Sequence, residues 1–91
     1  MKRTIEELKN QRQCCLNEIE KYENASKISQ KKLEEYYVYA DEGDKYYLEL
    51  FNLEFNYNTF IHRMLGDIRE ELREIEKQLK IRNANFGDDN P

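Results

Sequence analysis

The chain has 91 residues and a formal net charge of -4, with 37% charged residues, 38% apolar residues and a 12% aromatic share that contains no Trp. A domain this short buries only about 60–65% of the surface its unfolded chain exposes, so its own core is thin. The acidic balance argues against a phosphate-neutralising surface, which needs clustered Lys and Arg, and seven Tyr with four Phe argue against a disordered chain.

No stretch approaches the roughly 18–20 uninterrupted apolar residues of a membrane-spanning helix. Met1-Lys2-Arg3-Thr4 has a basic pair but no apolar core behind it, so no signal peptide is read there. The expectation is a cytoplasmic chain without membrane insertion, exported, if at all, in complex with a partner. Cys14 and Cys15 are sequence neighbours, and adjacent side chains on a helix point about 100° apart, so they are read as reduced thiols. With His62 the single histidine and no CxxC spacing, no metal site is expected.

The first helix opens at Thr4-Ile5-Glu6-Glu7, where the Thr hydroxyl can accept from the Glu7 backbone N–H while the Glu7 carboxylate reaches back. A spacing of three and four then selects Ile5, Leu8, Arg12, Cys15, Ile19, Tyr22, Ser26, Ser29, Leu33, Tyr36 and Ala40 as a seam. The other side carries Glu6, Lys9, Gln13, Asn17, Glu20, Lys27 and Lys31, a solvated face. This predicts a helix over about 5–40.

The break is Asp41-Glu42-Gly43-Asp44, in which Gly43 can take the left-handed conformation that ends a helix and Asp44 can cap the next. A second helix, over about 45–82, repeats the spacing through Tyr47, Phe51, Glu54, Asn58, Ile61, Leu65, Ile68, Leu72, Ile75 and Leu79. Gly66 interrupts it and Asp67-Ile68-Arg69-Glu70 could open a fresh helix, but Ile61, Leu65, Ile68 and Leu72 stay in phase across the glycine. One continuous helix is therefore predicted. Residues 83–91 read as a flexible tail with Phe86 as the apolar anchor.

A four-residue connector makes the two helices antiparallel neighbours. The fold class is all-α, an antiparallel two-helix hairpin over residues 1–82 that completes a bundle with a partner or with itself. In that hairpin Leu33 should lie near Phe51, Ser26 and Ser29 near residues 56–60, and Arg12 near residues 70–74; Tyr22 should neighbour His62.

Nine of the eleven aromatics fall between Tyr36 and Phe60. In the run from Tyr46 to Tyr57 the apolar positions cover well over half the helix circumference, more than one facing helix can bury. Clustered Tyr and Phe beside polar Asn are what binding cores favour, so a protein interface is expected on Tyr36, Tyr37, Tyr39, Tyr46, Tyr47, Leu50, Phe51, Phe55, Tyr57 and Phe60. Its occupant could be a second copy, as a homodimer, or a different helical protein. Catalysis finds no support: Asp41, Glu42 and Asp44 sit on a turn with no apolar pocket to raise a pKa, His62 has no predicted Ser or Cys nucleophile within reach, and no glycine-rich phosphate loop exists. No catalytic, cofactor-binding or metal-binding residue is expected.

With a turn glycine and an aromatic cluster beside it, the chain resembles the small WXG-like helical proteins of type VII secretion. Leu33-Glu34-Glu35-Tyr36-Tyr37, Tyr47-Leu48-Glu49-Leu50-Phe51 and the charged run from Ile68 to Lys80 look like the small partner proteins encoded beside LXG toxins in Gram-positive bacteria. The resemblance implies a chaperone-like adaptor that binds the helical N-terminal domain of a toxin and targets it to the secretion machine. The turn reads Asp41-Glu42-Gly43, without the Trp of the Trp-Xaa-Gly signature, and Asn90 stands where an aromatic-x-x-x-Asp export signal would need its acid. The resemblance thus implies the partner rather than the bearer of the export signal. Two other classes remain open: a homo-oligomeric coiled-coil adaptor, and a small acidic inhibitor from a phage or a host that binds a basic target.

Overall fold

The computed structural model describes residues 3–85, with side chains through Arg82. The chain forms two helices, α1 over Ile5–Asp41 and α2 over Lys45–Asn85, packed along each other as a hairpin with principal extents of 64 × 23 × 15 Å.

The local signals for helix ends are all satisfied. Thr4 has extended backbone and accepts from Glu7 N at 3.0 Å, and Glu7 Oε1 accepts from Thr4 N at 2.8 Å, closing the reciprocal cap. At the other end of α1, Gly43 N–H donates to Ala40 O at 3.0 Å and Asp44 N–H to Tyr39 O at 3.2 Å. This is the Schellman pattern, and it needs Gly43 at φ +94°, a conformation that L side chains rarely adopt. Asp44 Oδ1 then accepts from Tyr46 N and Tyr47 N at 3.0 and 3.3 Å, capping α2 one residue after α1 has closed.

Continuity through Gly66 is as the phase of the apolar residues predicted: α2 has no break there. It also runs past Arg82 to Asn85, so residues 83–85 are helix and not tail. The remainder of the expected tail lies outside the described residues.

Every seam position on both helices is buried or half-buried. Leu8, Ile61 and Ile75 are fully covered, and Leu8, Cys15, Ile68 and Ile75 form a cluster against which Ile19, Tyr22, Leu72 and Leu79 pack. The cluster occupies the end of the hairpin away from the turn. Toward the turn the buried set thins to Ser29, Leu33, Ile61 and Leu65, and no residue from 34 to 60 is buried.

The register differs from the expected one in a consistent direction. Ser29 meets Asn58 as predicted, but Arg12 Nε reaches Glu76 Oε2 at 3.0 Å, beyond residues 70–74, and Ser26 approaches His62 rather than residues 56–60. Side chains lean toward the N-terminus of their own helix. On α1 that is away from the turn and on α2 toward it, so tips meet residues farther along α2 than facing backbone positions suggest. Among the described residues two ion pairs join the helices, Arg12–Glu76 and Arg69–Glu23; both are nearly half exposed, so each is worth at most about 1 kcal/mol.

Candidate functional site: the aromatic end of the hairpin

The nine aromatic residues from Tyr36 to Phe60 lie at the end the main core cluster does not reach, and the structure sorts them into three groups. Tyr36, Tyr39, Tyr46 and Tyr47 clasp the turn. The Tyr39 and Tyr47 rings stack with centroids 4.6 Å apart, Tyr46 meets Tyr47 edge-on at 5.5 Å, and Tyr36 lies 6.1 Å from Tyr47. Such pairs add about 0.5–1.5 kcal/mol beyond their burial, so this group braces the connector.

A second group lines an open cleft between the helices. Tyr37 and Phe51 approach at 6.0 Å and Phe51 stacks on Phe55 at 6.2 Å. With Leu33 as the floor and Gln30, Glu34 and Asn58 as the polar rim, these rings enclose about 440 Å³. Tyr37 and Phe55 remain 57% and 54% exposed, so the hairpin supplies walls for the cleft but no lid.

The third group is on the far side. At 100° per residue Phe55 and Tyr57 point about 160° apart around α2, with Asn58 and Glu54 facing α1 between them. Tyr57 and Phe60 are about half exposed, and Leu50 is half-buried. The ten residues expected as one interface therefore occupy two opposite faces and the turn. Leu48 and Leu53, both exposed, belong with the same surfaces and were missed by sequence reasoning, although Leu53 follows Tyr46 and Leu50 at the same helical spacing.

His62 lies away from all three. Its Nε2 is 3.5 Å from Ser26 Oγ, and Tyr22, the neighbour expected for it, packs on the core cluster. Sequence reasoning placed no Ser within reach; the same inclination of side chains brings Ser26 there. The shallow surface around the pair contains Glu23, but its carboxylate is taken by Arg69 at 2.8 Å and does not orient the imidazole. Among the described residues no three His, Cys, Asp or Glu side chains are grouped to hold a metal ion, and no helix is long and apolar enough to cross a membrane.

Cys15 is buried and Cys14 exposed. Burial pushes the Cys15 thiol pKa up, with the Glu71 and Glu18 carboxylates acting in the same direction. An acid-shifted, reactive thiolate is the opposite of this environment. Comparison with known protein families, with curated proteins and with solved structures finds no match to this chain.

Proposed function

We propose that this chain is a non-catalytic adaptor that binds a helix of another protein in the cleft beside its turn. The observation that carries the reading is the division of the hairpin into a packed half without exposed aromatics and a turn half in which no residue is buried while Tyr37, Phe51 and Phe55 line an apolar cleft. Uncovered rings clustered around a leucine floor are the composition of binding hot spots, and a groove between two helices is the geometry that receives an amphipathic third. Glu34 on the rim favours a Lys or Arg beside the apolar stripe of the incoming helix.

The resemblance to the small partners of LXG toxins supplies the class of occupant: the helical N-terminal domain of a secreted toxin, held for type VII secretion. A toxin domain encoded beside this gene, titrated calorimetrically into the purified chain, tests both levels. Binding that Phe55→Ala weakens by roughly 2 kcal/mol or more, with helicity unchanged, supports the reading. Binding indifferent to Phe55→Ala removes the cleft from it, and no binding at all removes the toxin.

A further inference from the structure

Along the face of α2 opposite the cleft, apolar residues recur at the four-three spacing of a second seam: Tyr46, Leu50, Leu53, Tyr57, Phe60 and Met64. Each stands one residue before a member of the seam packed on α1, so the stripe is rotated from that seam by about 100°. It is more apolar than the stretch of seam it accompanies, which contains Glu54 and Asn58. The hairpin leaves most of it uncovered: Leu53 is 68% and Tyr46 65% exposed, Tyr57 and Phe60 are about half exposed, and Leu50 and Met64 are half-buried. Ile28, one residue before Ser29 on α1 and likewise exposed, extends the same face.

We propose that a second copy of this chain docks on this stripe, with the two α2 helices antiparallel about a two-fold axis between Leu53 and Tyr57. Self-complementarity identifies the occupant. Antiparallel pairing sets Tyr46 against Met64 of the second copy, Leu50 against its Phe60 and Leu53 against its Tyr57, so every layer is apolar and two-fold symmetric. The flanking positions on the outer edge, seven residues apart, are Glu49, Asn56 and Arg63, all exposed. The same pairing brings Glu49 to Arg63 of the second copy, Arg63 to its Glu49, and Asn56 to its own symmetry mate.

A parallel pair would instead set Glu49 beside Glu54 of the second copy, like charge against like. Neither Glu49 nor Arg63 takes part in the two ion pairs that join α1 to α2, so both are available. Aromatic side chains cover roughly 150–250 Å² each when fully buried. The exposed parts of Tyr46, Leu53, Tyr57 and Phe60 therefore bring two copies to about the 1,000 Å² at which specific interfaces begin. The cleft of Tyr37 and Phe55 stays open on the other side, so the dimer stands or falls independently of the partner bound there.

Sedimentation of the chain alone across the micromolar range tests the proposal. The wild-type chain should be a dimer, and Leu53→Glu should be a monomer of unchanged helicity. Glu49→Arg and Arg63→Glu should each weaken dimerisation by roughly tenfold or more, because each creates two like-charge contacts across the axis. An equimolar mixture of these two variants should regain dimer, since only the antiparallel register pairs each altered residue with the altered residue of the other copy. A monomeric wild type overturns the proposal, as does a dimer that survives Leu53→Glu. Charge variants that fail to complement one another overturn the register.

Discussion

Asn58 Nδ2 donates to Ser29 Oγ at 3.2 Å across the hairpin, and Ser29 is 1% exposed, the one buried polar residue of the described core. The pair sits where packed apolar layers give way to the aromatic end, and a polar contact there fits a single register because sliding either helix strands both groups. Removing one partner leaves the other unsatisfied, so Ser29→Ala should cost about 1 kcal/mol. Replacing both, Ser29→Ala with Asn58→Leu, should recover most of that loss. Chemical denaturation of the two single variants and the double closes the cycle, and purely additive losses would mean that the hydrogen bond contributes nothing.

Ile75 is fully covered within the main cluster, whereas Leu72, equally in phase, is half-buried. Ile75→Ala should therefore lower stability by roughly 2–5 kcal/mol, and Leu72→Ala by clearly less, since the loss grows with the cavity left behind. Phe55→Ala should leave the thermal midpoint of the chain nearly unchanged. Equal losses from all three would contradict this distribution of the core.

The two glycines of the hairpin should respond in opposite ways. Gly66 is exposed inside α2, and a Cβ built there meets nothing within 4 Å, so Gly66→Ala should stabilise the chain by up to about 1 kcal/mol. Gly43→Ala meets no neighbour either, yet it should destabilise because φ +94° is strained for any L side chain. Thermal melts with opposite shifts are expected.

A thiol reagent should modify Cys14 rapidly in the folded chain and Cys15 slowly, because Cys15 is 4% exposed and its burial disfavours the thiolate. Mass spectrometry after a short pulse should find one adduct, and two once denaturant is added. Two fast adducts on the folded chain would show that the Leu8–Cys15 layer is open.

Glu7 is held below the ordinary carboxyl pKa, chiefly by accepting from the Thr4 backbone N–H. A carboxyl whose folded pKa is depressed adds stability above its unfolded value, and that contribution disappears as pH falls through the folded value. The start of α1 should thus loosen below about pH 4.5, the unshifted value, before the rest of the hairpin. NMR titration should show the Glu7 side chain moving at lower pH than a glutamate without such a cap, and Thr4→Ala, which removes the hydroxyl but keeps the backbone N–H, should reverse only part of the shift.

Local chemistry determined the hairpin. Thr4 with Glu7, Gly43 and Asp44 are helix-end signals whose partners lie within a few residues, and the four-three phase carried through Gly66 because helical geometry repeats without reference to the other helix. The seam, the turn and the surplus of aromatic surface were therefore legible from residue order. Contacts between helices were not. The inclination of side chains displaced Arg12 to Glu76 and brought Ser26 against His62. Tertiary packing alone decided which half of an evenly phased seam became core: Leu8, Cys15, Ile68 and Ile75 close on each other at the open end, while at the turn Tyr39 stacks on Tyr47 and no residue from 34 to 60 is buried. It also split the aromatic run between two faces, since residues adjacent in sequence point about 100° apart and a single facing helix covers one side. One face became a walled cleft and the other an unpaired stripe, a distinction that composition cannot carry because it depends on where α1 lies.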